Sequence, residues 1–85
     1  MIRILTDFQS IDPDGSLYIL VIGDRNLDQQ QAQQYRLKIG DTVLLDADEG
    51  VVVTGTLDFK FVKMLGRESW VAHPNWSTRK DEAEA

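Results

Sequence analysis

His73 is the only histidine in the chain, so acid–base catalysis, an imidazole metal ligand or a nucleophilic triad would each have to be built around it. A triad's members need only meet in space, and sequence alone does not deny one. No cysteine is present to serve as nucleophile or thiolate ligand. Ser69 and Ser77 are ordinary polar positions. In His73-Pro74-Asn75-Trp76 the simpler reading is a histidine at a strand end, exposed or bonded to backbone, ahead of a catalytic or pH-sensing one.

Two acidic loops could suggest calcium: Asp12-Pro-Asp-Gly15 and Asp46-Ala-Asp-Glu-Gly50. An EF-hand loop needs Gly at its sixth position and a bidentate Glu at its twelfth. Here Gly falls fourth and fifth, and the pattern predicts no flanking helices. Turn chemistry accounts for both loops: Pro presets φ, Gly supplies the permissive position, and Asp bonds nearby backbone. Asp58 and Glu68 could pair on folding, but their spacing does not ask for it. Neither a Walker sequence nor a GxGxxG fingerprint occurs. The chain therefore reads as a non-enzyme with no cofactor, no metal and no catalytic residue.

Phe59-Lys-Phe-Val-Lys-Met-Leu-Gly-Arg67 is the best functional candidate. Lys60, Lys63 and Arg67 are three of the nine basic residues. Interleaved aromatic and basic side chains on a strand can stack bases and hold phosphates. The competing reading ranks ahead of it: Phe59 and Phe61 in the core, Lys60 and Lys63 on a solvated face. Met64 and Leu65, beside a turn, suit protein contact. Tyr35, Trp70 and Trp76 join them as candidates, because aromatics are enriched at interfaces. In a small barrel the same residues can close the ends of the core, and both roles stay open.

Composition narrows the classes. Eighty-five residues make one domain. Nine basic against fourteen acidic residues leave a formal charge of −5. That disfavours a general nucleic-acid binder, whose affinity comes largely from neutralising phosphates, though a local basic patch stays compatible with it. The longest apolar run, Leu17–Ile22, is far short of a membrane span. Met1-Ile-Arg-Ile-Leu5 lacks a signal-peptide layout. The expectation is a cytoplasmic protein with no membrane partner.

The elements that must position these residues are strands. Ile2–Ile11 reads as the first, with a bend or bulge needed to fit Phe8 and Ile11. The Asp12–Gly15 turn leads into Ser16–Ile22, which is apolar on both faces and so expected to be covered on both; together they predict a hairpin. Gly23–Gln34 reads as loop or one to two helical turns capped by Asn26 or Asp28. Tyr35, Leu37 and Ile39 alternate with Arg36 and Lys38, predicting a short strand. Thr42–Asp46 and Val51–Phe61 follow, the second interrupted by Gly55 where a sharp coil or bulge could form. After a turn at Leu65–Glu68, Ser69–His73 is a last strand ended by Pro74. Trp76 is expected to pack back on the barrel, and Ser77–Ala85 to be a disordered tail.

The predicted fold is mainly β: a small single-domain barrel over residues 1–76, SH3-like rather than OB-like, with at most one short helix near 27–34. Such folds host many functions. The first expectation is a protein-binding module or accessory subunit, docking through Tyr35, Met64, Leu65, Trp70 and Trp76. The alternative is a nucleic-acid binder using Lys60, Lys63 and Arg67, with Arg36 and Lys38 as possible additions. A third is a small-ligand binder or enzyme centred on His73. Self-association through strand edges also stays open.

Overall fold

A computed structural model describes residues 1–81. It is a mainly β domain with six strands in one sheet and one short helix. In chain order these are β1 (Arg3–Thr6), β2 (Leu20–Ile22), β3 (Arg25–Asn26), α1 (Gln29–Gln34), β4 (Thr42–Asp46), β5 (Val51–Val62) and β6 (Arg67–Asp81). The spatial order is β3-β2-β1-β4-β5-β6. Only β1 and β4 run parallel; the other neighbours are antiparallel. A parallel pair needs a crossover, and β2, β3 and α1 supply it. Leu27 and Ala32 from that crossover join one buried cluster with Ile4, Leu45, Val53 and Leu57. Among the described residues no helix is long and apolar enough to cross a membrane.

The sheet curls but is not closed into a barrel, which corrects the expected architecture. Leu17 and Ala72 exchange two backbone bonds, of 2.8 and 3.0 Å, and this single bridge is the contact between the two ends. The cause lies in Ser16–Ile22. Leu17 is buried, Ile19 is 37% exposed, and Leu20 and Ile22 are buried, so the inward parity flips within the segment. Past that flip the chain pairs with β1 instead of β6. The expected two-faced central strand is thus a bridge residue followed by a short strand.

Other differences have local causes. β1 stops at Thr6, because Asp7 takes the Gln9 amide at 2.9 Å and the Ser10 hydroxyl at 3.1 Å in a turn. Tyr35–Ile39 is not a strand. It holds the helix end, where Leu37 N–H reaches Ala32 O at 2.7 Å and Arg36 N–H reaches Gln33 O at 3.2 Å. This is the Schellman arrangement, with Arg36 in the left-handed region at φ 56° where glycine is usual. The N-terminal cap is Asp28, whose Oδ1 accepts from Gln31 N–H at 2.8 Å.

β6 runs through Pro74 to Asp81, past the residue expected to end it and into residues 77–81 of the expected tail; 82–85 lie outside the described residues. Pro74 is tolerated for a reason of register. Ala72 points its N–H and C=O away from β5, toward Leu17. Two residues on, the Pro74 nitrogen also faces away, so no ladder donor is lost. The β5–β6 register then shifts between Val52 and Thr54. Thr78 Oγ1 fills the gap by accepting the Thr54 N–H at 2.8 Å. Trp76, in the displaced stretch, meets Phe8 edge-on at 5.3 Å and remains 46% exposed.

Gly55 is a close-approach glycine. A Cβ there would stand 2.5 Å from Leu45 Cδ1 and 3.3 Å from the His73 carbonyl. Leu45 is fully buried and has nowhere to swing. Gly55→Ala should cost about 1–3 kcal/mol by overpacking, read as a lower urea midpoint at unchanged slope. Arg36→Gly has the opposite sign. It relieves a left-handed residue that costs roughly 1–2 kcal/mol against about 0.5–1 kcal/mol of glycine's extra unfolded-state freedom. The melting temperature should rise by a few degrees, and a fall would refute the strain at that cap.

Candidate functional site

The β5–β6 hairpin outruns the rest of the sheet. Pairing with β4 ends at Thr42 opposite Thr56, and Leu57 makes the last backbone bonds on that side, to Gly40 and Asp41. Phe59 and Phe61 keep the parity of Val53 and Leu57, yet they stand where the core has ended. They are 41% and 56% exposed, which corrects the expectation of two core phenylalanines. Phe59 instead packs edge-on against Trp70, its cross-strand partner, with centroids 5.7 Å apart.

Helix α1 and the turn after it face this extension and leave a groove of about 480 Å³, floored by Ala32, Leu37, Phe59 and Trp70. Ile39, 60% exposed, stands on its rim. A second, more enclosed hollow of about 220 Å³ occupies the seam where the sheet fails to close, between Tyr18–Leu20 and the β6 edge. Leu65, Arg67 and Trp70 line its β6 side. A hollow of about 250 Å³ lies between the two, sharing Phe59 with the first and Arg67 with the second. Trp70 lines all three. The three hollows adjoin as one trough; Lys38, Gln29 and Gln33 share the Ile39 end with its apolar residues, and Asp28 and Glu68 stand with Arg67 toward the seam.

The candidate contact residues distribute unevenly around it. Trp70 and Leu65 line the trough. Tyr35 sits at the end of α1, 43% exposed, and Met64 at the hairpin turn, 62% exposed; neither lines any of these three hollows. Trp76 belongs to a different part of the surface, with Phe8. Phe59, Leu37 and Ile39 are site residues the sequence reading did not assign there. Strand length was the available signal: β5 has twelve residues and β4 only five, so part of β5 had to extend beyond its neighbour.

The basic candidates also separate. The Lys60 ammonium is consumed. It donates to Asp12 Oδ2 and to the Phe61 carbonyl, each at 3.0 Å, and lies 3.1 Å from Asp14 Oδ2. Three acceptors use all three of its protons. Asp12, only 3% exposed, also accepts the Met64 N–H at 3.1 Å. Burial pushes the Asp12 carboxyl up, but the Lys60 and backbone hydrogen bonds outweigh it and leave its pKa lowered. Asp14 accepts from the Ser16 hydroxyl at 2.6 Å, and chiefly for that reason its pKa falls to about 2. Lys60 is raised, first by its bond to Asp12. Arg67 and Lys63 have no carboxylate within ion-pair distance among the described residues.

His73 lies mid-strand, with Nε2 2.9 Å from Asp58 Oδ2. That bond is the first cause of the lowered Asp58 pKa. Its cross-strand neighbour is Thr56. The pair is half-exposed on the sheet face, away from the trough.

Comparison with family models, curated proteins and solved structures finds no match to this chain.

The four lowered carboxyls, Asp12, Asp14, Asp46 and Asp58, set a direction for pH. Below their ordinary value of 3.8 the unfolded chain binds protons that the folded chain refuses. Stability is therefore full above about pH 5 and falls as pH drops toward 2. Lys60 acts at the other limb: its contribution is full below its ordinary 10.5 and is lost as pH rises through its folded value. Urea midpoints at pH 5, 3 and 2 should decline in that order, and Asp14→Asn should flatten the decline. A midpoint independent of pH over that range would contradict the ion-paired turn.

Proposed function

We propose that this chain is a non-enzymatic protein-binding module or accessory subunit that docks a partner along the trough beside Trp70. One observation carries the reading: a continuous concavity bordered by Phe59 and Ile39, two large apolar side chains left 41% and 60% exposed. Apolar surface gathered in a groove with polar margins is characteristic of interaction sites. Rigid backing adds support, because Trp70 is 7% exposed and packed in the core cluster. An anchor that is already ordered loses little side-chain freedom on binding.

An SH3-like kinship belongs to the same proposal. The antiparallel meander β4-β5-β6 and the tight turns support it; the parallel β1–β4 pair is the feature it must accommodate. The nucleic-acid alternative is weakened by the engagement of Lys60 with Asp12, Asp14 and the Phe61 carbonyl. A site centred on His73 has the Asp58 contact in its favour, but no trough beside it.

The test is capture from source lysate at low salt, with and without nuclease, by the native chain and by Ile39→Asp and Phe59→Asp. A partner that survives nuclease should be lost from both variants, each costing roughly 2 kcal/mol or more as central contacts do, while circular dichroism stays native. Recovery of nucleic acid, or a partner indifferent to both substitutions, would refute the docking surface.

A further inference from the structure

Trp70 is only 7% exposed, yet its hydrogen-bonding groups are unmet. Its indole N–H is buried without a partner. Its main chain is unmet as well. Ala72 turns its backbone groups away from β5, to Leu17, and by register Trp70 and Glu68 turn theirs the same way. Neither makes a backbone bond on that side among the described residues. Buried polar groups are nearly always paired, so a cluster of unmet ones asks for a partner. The chain does not supply it. Extending the Leu17–Ala72 bridge would set Ile19 opposite Trp70. That register would turn Leu20 and Ile22, both buried, out of the core.

The geometry points to strand addition at Glu68–Trp70 by an extended segment of the docking partner, carrying a Lys or Arg on the face it shares with Glu68. This rests on the docking reading and names the chemistry of the partner. The segment's main chain meets the N–H and C=O groups of Glu68 and Trp70, as in sheet augmentation. Leu17 already occupies the edge at Ala72, and β6 begins at Arg67, so the added pairing is confined to the stretch between them. Charge selects the side chain. Glu68 has no cation within ion-pair distance among the described residues. It lines the hollow beside Phe59 together with Asp28. Its cross-strand neighbour on the same face is Phe61, 56% exposed, so a cation set against Glu68 also lies by an aromatic ring. Arg67 lines that hollow too, but its register position alternates with Glu68 and Trp70 and belongs to the other face of β6. It meets the segment's intervening side chains, which polar or acidic residues suit. The chain as a whole, at −5, attracts a basic segment.

The test titrates isotope-labelled protein with acetylated, C-terminally amidated peptides in which Lys alternates with Val, and with matched peptides in which Glu replaces Lys. The Lys peptides should shift the amide resonances of Glu68 and Trp70 and the Trp70 indole resonance, and should slow hydrogen exchange at both amides. Replacing Lys by Glu should weaken binding about tenfold or more, as loss of a charge-assisted contact does. Glu68→Gln should erase most of that difference, and an undiminished difference would overturn the Glu68 contact. Glu68 is exposed, and a native spectrum in the free state confirms the fold. N-methylation of alternate peptide residues should abolish binding in one frame and spare it in the other, because only one set of main-chain groups faces β6. Equal effects in the two frames would overturn strand addition. If Lys and Glu peptides bind alike, with shifts at Phe59 and Ile39 and no protection at Glu68 or Trp70, strand addition is overturned and the docking surface stands. If no peptide shifts any trough resonance, strand addition is overturned too, and the docking reading is judged by the Ile39→Asp result alone. Protection of the same amides that grows with protein concentration in the absence of peptide would overturn it in favour of a second copy of this chain.

Discussion

The salt bridge between Lys60 and the Asp12–Ser16 turn holds together the half of the molecule that carries the trough. Asp12 is buried between the first hairpin and the far end of β5, and it meets both a cation and the Met64 amide. A buried carboxylate is costly unless its oxygens are paired. Here both oxygens of Asp12 have partners, and the Lys60 ammonium has three. The arrangement tolerates little displacement, since moving either strand would strand a charge away from water. It ties the β5–β6 hairpin to the 11–17 segment, as the Leu17–Ala72 bridge does a few residues away.

Two consequences meet at Trp70. The hairpin is held where it outruns β4, so Phe59 and Ile39 face each other across open space instead of across a core. The seam beyond Leu17–Ala72 stays unpaired, because the parity flip at Tyr18–Ile19 sends the chain to β1. The opposite features guard the rest of the sheet. Pro74 and the bulge after Asn75 disrupt the far edge of β6, and β3 has only two residues. Short, bent or proline-bearing edges resist uncontrolled pairing. That leaves the Glu68–Trp70 stretch of β6 as the more receptive edge of the sheet.

Much of the fold was legible. The Asp12–Gly15 turn, Thr42–Asp46 and the long β5 follow from local patterns of Pro, Gly, Asp and alternating apolar residues, and each formed as expected. Near 27–34 Gln and Ala propensity allowed either a short helix or a loop, with Asn26 or Asp28 as cap; the structure forms the helix and caps it with Asp28. Tyr35–Ile39 misled because three apolar residues at period two also arise when a helix ends in a Schellman turn. Phe59 and Phe61 misled because parity says which face a residue takes, not whether anything covers it. Lys60 looked like a solvated cation because its partners lie 46 and 48 positions away.

What the sequence determined by itself is local: where the chain turns, which stretches are extended, where the helix is capped, and that the body is acidic. Those features depend on neighbours a few residues apart, whose φ preferences and side-chain hydrogen bonds act before any packing. Only the tertiary structure decided which strand outruns its neighbour, whether the sheet closes, and which cations are spent. Those are questions of register and distance between remote segments. Arg67 and Lys60 lie seven positions apart and read alike in sequence; packing beside Asp12 engages Lys60, while Arg67 has no carboxylate partner among the described residues.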